Sequence, residues 1–292
     1  MSAPYGGPPV LYDEPGPRAR RRHRLAGLAF LAVLALAAWW VLETMGERHQ
    51  LDAEKWRPFV EDARVWTAFL LPGLRTTVEA AALATVLALP LGALLGVALL
   101  AERRWIRAPT AALVDLGRAV PVLMLMLLCN EAYAQLRDID PDSRPLYAVV
   151  TGLVIFNGAV VAEIFRAGVL ALPSGQRDAA RAVGMRGTQT MAYVLLPQAV
   201  TAMLPALTSQ MVVIVKDTAL GGEMLAFGEL LHQVRLISAN YGANTIACLT
   251  VVALLFVALN LLLTTLAARI ESRARHGRKS TGAVVTRTPD QT

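Results

Sequence analysis

A polar stretch between two long apolar runs reads Pro173-Ser174-Gly175-Gln176-Arg177-Asp178-Ala179-Ala180-Arg181-Ala182-Val183-Gly184 and ends, after nine more residues, in Val194-Leu195-Leu196-Pro197. The Gln, Arg and Ala side chains between Gln176 and Val183 favour a helix. Asp178 is expected near the start of that helix, where the helix dipole favours an acid. Gly184 tolerates the positive φ that a sharp corner needs, and Pro197 marks the start of the next helix. The stretch therefore predicts two short helices separated by a turn.

The composition is that of a membrane protein. The chain has 292 residues, of which 55% are hydrophobic and 17% are charged, and its mean hydropathy is positive. This apolar excess predicts an all-α, polytopic membrane protein. The net charge is +6, but most Lys and Arg residues flank apolar runs and few aromatic residues lie among them. Membrane topology therefore explains the basic charge better than nucleic-acid binding does.

Six apolar stretches come close to the ~20 residues that a helix needs to cross a bilayer. They are Leu25–Leu42, Leu74–Leu100, Ala112–Cys129, Leu146–Leu172, Val194–Val215 and Asn244–Ala268. A seventh region, Ala219–Leu236, is amphipathic and carries four titratable residues. It is predicted to be an external or re-entrant helix, so the sequence predicts about six transmembrane helices.

The two ends of the chain are basic and polar. Residues 1–24 are predicted to form a disordered tail, since the first 17 are rich in Pro and Gly, and residues 270–292 a basic cytoplasmic tail. The span 25–42 follows an arginine cluster, as the core of a secretory signal does, but it is long for one. Trp39 and Trp40 fit an interfacial anchor, so an extra, uncleaved N-terminal span is predicted.

The distribution of basic residues predicts the orientation in the cell membrane. With both termini in the cytoplasm, the inner segments carry 17 Lys and Arg residues and the outer segments carry seven. This difference follows the positive-inside rule. It places the polar stretch, residues 173–197, in the cytoplasm.

No catalytic, metal or cofactor site is indicated by the sequence. Cys129 and Cys248 lie in or beside apolar spans without ligand spacing, and the four histidines are far apart. No nucleophile and base are placed as a membrane enzyme would need. Residues 277–280, Gly-Arg-Lys-Ser, lack the Gly-x4-Gly-Lys spacing of a phosphate-binding loop.

The spacing of the polar stretch resembles the cytoplasmic loop signature of ATP-binding-cassette (ABC) importer permeases, Glu-Ala-Ala-x3-Gly-x9-Ile-x-Leu-Pro. Every interval matches, with Asp178 in place of Glu and Val194 in place of Ile. Further motifs are similar to those of the polar amino-acid branch of this family. They are Asp115-x-x-Arg118-x-x-Pro121, Asn157-Gly158-Ala159, Ala162-Glu163, Arg166, Pro173-x-Gly175-Gln176 and Lys216-Asp217-Thr218. The resemblance covers roughly residues 72–269 and is greatest to glutamate-uptake permeases of high-GC Gram-positive bacteria.

This resemblance implies the fold of a type I ABC importer permease over residues 72–269, with cytoplasmic coupling helices. It implies that ATP is bound by a separate ATP-binding subunit, onto which the loop docks. The coupling residues would be Gln176, Asp178, Ala179, Ala180, Gly184, Leu196 and Pro197. It also implies an extracellular substrate-binding protein and a second permease subunit. That subunit is either a similar chain or another copy, and the glutamate type favours the heterodimer. Related permeases carry glutamine, arginine, histidine or cystine.

Ionisable residues within spans are candidates for function because they are costly to place there. Asp115 and Arg118 lie three residues apart, as do Glu163 and Arg166, so each pair shares a helix face. Both pairs lie near the cytoplasmic side, which predicts an ion-pair network that rearranges during gating. Local ion pairs without such a role are the alternative.

Asn157, Lys216 and Asp217 are weaker candidates for the substrate pathway. Asn157 lies in the middle of a predicted span, and the other two lie at the outer end of the span 194–215. There they could form a gate, meet the charged groups of an amino acid, or serve only as interfacial anchors.

A secondary transporter that couples uptake to an ion gradient is the alternative function. Such transporters often have two related halves with paired interrupted spans. The sequence shows no repeat of that kind, so the ABC permease is preferred.

Overall fold

The computed structural model describes residues 16–136, 138–242 and 244–279, and every regular element within these ranges is helical. The all-α class predicted from the composition is confirmed. The expectations for residues 1–15 and 280–292 lie outside the described residues.

The described residues form a succession of α-helices of very different lengths. They are α1 Pro17–Glu47, α2 Ala53–Trp56, α3 Pro58–Glu61, α4 Leu71–Leu99, α5 Arg104–Ala119, α6 Val122–Ala134, α7 Arg144–Leu170, α8 Ser174–Ala182, α9 Gly187–Gln189, α10 Leu196–Leu225, α11 His232–Asn240 and α12 Thr245–Lys279. Two π-helical turns, Val65–Leu70 and Thr190–Leu195, lead directly into α4 and α10. α12 extends beyond the predicted span to Lys279, so residues 270–279, predicted as the start of the basic tail, are helical.

The chain divides into two compact units, residues 1–55 and 56–292. The first contains α1, a helix of 31 residues, which is long enough to cross a membrane. It begins at Pro17, so residues 17–24 are helical and do not belong to a disordered tail. Proline is favoured at the first helical position, and the Arg and Ala residues that follow are good helix formers.

In the second unit, four helical segments are long and apolar enough to span a membrane: Val65–Leu99, Arg144–Leu170, Gly187–Leu225 and Thr245–Arg269. With α1 this makes five candidate spans in the described part of the chain. The pair α5 and α6 gives a sixth if it is counted as one bent span. The prediction of about six membrane helices is confirmed in this form.

The span predicted over Ala112–Cys129 consists of two helices with a bend between them. α5 ends at Ala119, α6 begins at Val122, and the two helix axes are bent by 98°. Pro121 has no N–H group to continue the helix and restricts the residue before it. Val120 accordingly has extended backbone, with φ −83° and ψ 128°.

The prediction of a single helix over Ala219–Leu236 is wrong. α10 extends past Val215 to Leu225 and so includes the first part of that region. Gly221 allows this extension: a Cβ there would lie 2.3 Å from Cγ2 of Val149 on α7. Close packing against α7 thus outweighs the poor helix propensity of glycine. Ala226 then adopts a left-handed φ of 52°, which ends α10 and separates it from α11.

The centre of the second unit is the contact between α4 and α7. A Cβ at Gly92 of α4 would lie 2.5 Å from Cβ of Val161, and one at Gly96 would lie 2.6 Å from Cβ of Phe165. These distances are shorter than a carbon–carbon contact, so the two glycines let the helix backbones approach each other. α7 also contacts α5, α6 and α10, which makes it the central helix of this unit.

The two π-helical turns share one sequence feature, since each runs into Leu-Leu-Pro. Leu70-Leu71-Pro72 starts α4, and Leu195-Leu196-Pro197 starts α10. A proline lacks the N–H group for an i→i−4 hydrogen bond, and its ring crowds the carbonyl four residues earlier. The wider π turn accommodates that ring and lets the helix continue.

Replacing Gly92 by alanine is expected to destabilise the second unit by about 1–3 kcal/mol, because the new methyl group would overlap Val161. Gly27→Ala is the matched control, since nothing lies within 4 Å of a Cβ at Gly27. Thermal unfolding of both purified variants in detergent checks this expectation. Equal midpoints for G92A and G27A would contradict the proposed packing of α4 on α7.

Candidate functional site

The polar stretch forms α8 and then turns sharply at Gly184. The N–H of Gly184 donates to the carbonyl of Arg181 at 2.9 Å, and the N–H of Met185 donates to the carbonyl of Ala180 at 3.1 Å. This pair of hydrogen bonds is a Schellman motif, and Gly184 has the left-handed φ of 85° that the motif requires. The sequence therefore predicts the position of the corner correctly.

The start of α8 differs from the expectation. The helix begins at Ser174, directly after Pro173, and its first residue has no side-chain cap. Asp178 is the fifth helical residue and lies outside the first turn. The helix dipole therefore does not explain its position. Its carboxylate is exposed to solvent instead.

One face of α8 is exposed to solvent and another is packed. Ala180 is buried, whereas Asp178, Ala179 and Val183 are exposed, and Val183 is exposed for 78% of its surface. An acid beside small apolar side chains on a short helix forms a surface on which a second protein can approach closely. Beyond the corner, Leu196 is half-buried and Pro197 is exposed.

Two side-chain contacts connect α8 to the membrane helices. Nη2 of Arg181 lies 3.0 Å from Oε1 of Glu102, which follows α4. Nε2 of Gln198 on α10 donates to Oε1 of Gln176 at 3.3 Å and to the carbonyl of Val194 at 2.8 Å. α8 is therefore connected both to α10 and to the segment between α4 and α5. Glu102 is missed by sequence reasoning, because 79 residues separate it from Arg181 and no local pattern relates them.

The predicted charge network is formed in part. Oε2 of Glu163 lies 2.9 Å from Nη2 of Arg166, and its Oε1 lies 3.8 Å from Nη1 of Arg118 on α5. Glu163 thus bridges two helices. Asp115 is exposed and has no ion pair within 4.0 Å among the described residues, so the Asp115–Arg118 pair expected from the spacing is absent there.

The substrate-pathway candidates are not brought together. Asn157 is fully buried; its Nδ2 donates to the carbonyl of Leu153 at 2.8 Å, and its Oδ1 accepts from Nε2 of Gln210 at 2.5 Å. Lys216 is exposed and Asp217 is half-buried. In the described ranges, no hydrogen bond joins either of these two to Asn157. Gln210, on α10, is a second residue that sequence reasoning misses.

A buried carboxyl group lies at the far end of α10. Glu229 is fully buried, and its two oxygens accept the N–H groups of Leu231 at 2.8 Å and His232 at 2.7 Å, where α11 begins. Burial raises the pKa of Glu229 to about 7, although the two backbone hydrogen bonds lower it and Glu223 raises it. A Cβ at Gly222 would lie 1.8 Å from Oε1 of this carboxyl group, so only glycine fits beside it.

No group of three His, Cys, Asp or Glu residues in the described ranges is placed to hold a metal ion. Residues 173–197 form an exposed loop with a sharp turn at Gly184, and this loop is attached to a bundle of membrane helices. That arrangement suits mechanical coupling to another protein.

The sequence matches the family described as "Binding-protein-dependent transport system inner membrane component" over residues 88–276. The chain belongs to this family. It is 44% identical over 244 residues to the glutamate transport system permease protein GluD of Corynebacterium glutamicum, covering 83% of this chain and 88% of that protein. It is 30% identical over 208 residues to the probable glutamine ABC transporter permease protein GlnP of Bacillus subtilis, covering 70% and 94%. The chain is thus an ABC importer permease similar to amino-acid permeases.

Solved structures agree with this family. A crystal structure of an amino acid ABC transporter with histidines has a TM-score of 0.62 and 28% identity, covering 71% of this chain and 95% of that one. An inward-facing structure of the MetNI methionine ABC transporter also has a TM-score of 0.62 over 74% of this chain and 99% of that one. Its identity is 23%, so it shows the fold alone. The predicted type I importer fold is confirmed.

Gly184→Ala tests the corner of the loop. Alanine in a left-handed conformation costs about 1–2 kcal/mol, so the variant is expected to change the angle after α8 and to lower amino-acid uptake severalfold. Gly175→Ala is the matched control, because Gly175 is helical and nothing lies within 4 Å of a Cβ there. Uptake by reconstituted vesicles checks this, and equal loss in both variants would contradict a role for the φ of Gly184.

Charge exchange between Arg118 and Glu163 tests the network. Arg118→Glu and Glu163→Arg are each expected to lower transport, because each places like charges together on α5 and α7. All three variants also carry Arg166→Gln, because an arginine at position 163 would otherwise face Arg166 in place of the 2.9 Å ion pair. The double variant restores opposite charges at positions 118 and 163 and is expected to recover much of the activity. Initial uptake rates measure this, and a double variant no better than either single variant would rule out a functional pairing.

Proposed function

We propose that this chain is the membrane-spanning subunit of an ATP-driven importer of polar amino acids, with glutamate as its substrate. The observation that carries the mechanism is α8 with its left-handed corner at Gly184, which displays Asp178 and Ala179 at the spacing of the family signature. The relation to GluD carries the choice of glutamate, because it extends over 83% of the chain.

The partners follow from the same proposal. A separate subunit binds and hydrolyses ATP, and α8 docks on it from the cytoplasm. An extracellular binding protein delivers the amino acid, and a similar second permease completes the pathway as a heterodimer. Both termini lie in the cytoplasm, in accordance with the distribution of basic residues.

Movement of α8 can reach the membrane helices by two routes. The first is covalent: the corner at Gly184 leads through α9 and the second π turn into α10. The second is the ion pair of Arg181 with Glu102 at 3.0 Å. Both side chains are largely exposed, and such pairs contribute only about 0–1 kcal/mol. The covalent route therefore carries most of the coupling, and the ion pair adds a second point of contact beside α5.

The bridge at Glu163 extends the same route inward. α5 begins two residues after Glu102 and carries Arg118 near its other end, where Arg118 faces Glu163 of α7. Displacing α5 would lengthen the 3.8 Å separation of this pair while the Arg166 contact within α7 stays in place. Glu163 would thus exchange between one and two arginine partners as the permease switches between its inward- and outward-facing states.

Reconstitution of the complete transporter tests the proposal. Proteoliposomes holding this chain, the second permease and the ATP-binding subunit are supplied with the binding protein and with glutamate, glutamine, arginine, histidine or cystine. Uptake of glutamate that requires ATP is expected. Uptake by this chain alone without ATP would instead identify a secondary transporter, and ATP-dependent uptake of another amino acid would overturn the choice of glutamate alone.

A substitution on α8 separates docking from folding. Ala179→Arg places a long charged side chain on the exposed face and is expected to abolish co-purification with the ATP-binding subunit. Ala239→Arg on α11 is the control, because Ala239 is also exposed and lies beyond the far end of α10. Retention of the ATP-binding subunit by A179R would contradict docking through α8.

A further inference from the structure

The helix α5 has an exposed apolar stripe in addition to the face that packs on the bundle. Val114 is fully buried, and a Cβ at Gly117 would lie 3.2 Å from Cβ of Ala159 on α7, so this face is covered. The stripe on another face has helical spacing and is exposed throughout. It consists of Trp105, Pro109, Ala112 and Leu116. Trp105 is exposed for 70% of its surface and Leu116 for 63%.

Three arginines accompany this stripe at one end of α5. Arg103, Arg104 and Arg107 are exposed, and none of them forms an ion pair within 4.0 Å among the described residues. The acid nearest in sequence, Glu102, is engaged by Arg181. Three positive charges therefore lie within one and a half helical turns of an exposed tryptophan without a neutralising partner in the described structure.

The bend at Pro121 sets the direction of α5. α5 meets α6 at 98°, so at most one of the two helices runs along the bilayer normal. α5, with Arg104, Arg107, Asp115 and Arg118, is the more polar of the two. A helix that lies in a membrane interface has this arrangement, with an apolar stripe toward the acyl chains and basic residues toward the headgroups. Tryptophan is itself enriched at that depth.

We propose that α5 lies in the membrane interface and that Arg103, Arg104 and Arg107 bind the phosphate groups of anionic phospholipids. The guanidinium group has the planar fork that matches a phosphate, and a lipid supplies both the negative charge and an apolar surface for the stripe. A soluble protein partner would need an acidic patch to bind the arginines and a separate apolar surface to cover Trp105 and Leu116. The proposal goes beyond transport, and its failure would leave the proposed function unchanged.

Quenching of Trp105 fluorescence by brominated lipids tests this site. The full chain, with its other four tryptophans changed to phenylalanine, is placed in vesicles that contain equal fractions of brominated phosphatidylglycerol or brominated phosphatidylcholine. Both lipids are expected to quench Trp105, and the anionic lipid is expected to quench it more strongly. Replacing the arginines by glutamine should lower the preference for the anionic lipid by roughly fivefold for each charge removed.

The control is the variant with lysine at positions 103, 104 and 107, which keeps the charge and should keep most of the preference. The tryptophan replacements could impair folding, so a second measurement uses the chain with its native tryptophans. Native mass spectrometry then measures how much phosphatidylglycerol this chain retains. Equal quenching by the two lipids, or a preference that survives the glutamine variant, would overturn the proposal. Protection of Trp105 from both lipids once the ATP-binding subunit is added would show that a protein covers this face.

Discussion

The structure depends on the close approach of α4 and α7, which two glycines one turn apart make possible. In a bilayer, apolar side chains gain little by leaving lipid for protein, so helices associate through close packing and polar contacts. Gly92 and Gly96 provide that packing, since neither position has space for a methyl group. α7 then positions much of the rest of the second unit. α7 carries Asn157 and Glu163, and it also contacts α5, α6 and α10.

Two polar contacts of α7 differ in how easily they can break. Asn157 is buried and hydrogen-bonded to both α7 and α10, so removing either hydrogen-bonding group would leave a buried polar atom unpaired. Glu163 is only partly buried, and its contact with Arg118 is long at 3.8 Å. The first contact fixes α10 on α7. The second can lengthen or break at small cost, and it lies between α7 and the helix that follows Glu102.

Hydropathy alone predicts the positions of the long helices, because a run of ~20 apolar residues has few alternatives to a membrane span. The corner at Gly184 is predictable for a similar reason, since few residues other than glycine adopt its φ at low cost. The bend at Pro121 cannot be predicted in this way. Pro90 and Pro205 lie within continuous helices, and the sequence does not distinguish these two prolines from Pro121. Packing decides between them.

The sequence also does not predict which distant residues become hydrogen-bond or ion-pair partners. Glu102 with Arg181, and Gln210 with Asn157, are separated by 79 and 53 residues. They become neighbours only when the helices are packed. The predicted position of Asp178 is wrong for a different reason, because a local rule is applied where it does not hold. A local rule about the helix dipole accounts for an acid near a helix start, but α8 begins two residues earlier than the local propensities suggest, and the rule no longer applies.

The far end of α10 holds a carboxyl group, that of Glu229, whose proton affinity depends on its burial. Burial raises the pKa of this group to about 7, well above that of an ordinary glutamate. A rearrangement that moved α11 away and let water reach this group would return it to the acidity of an ordinary glutamate. Because the buried form binds its proton more tightly, such an opening would favour proton release and closing would favour proton uptake. The conformational equilibrium of this end of the molecule is thereby linked to the acidity of the solution around it.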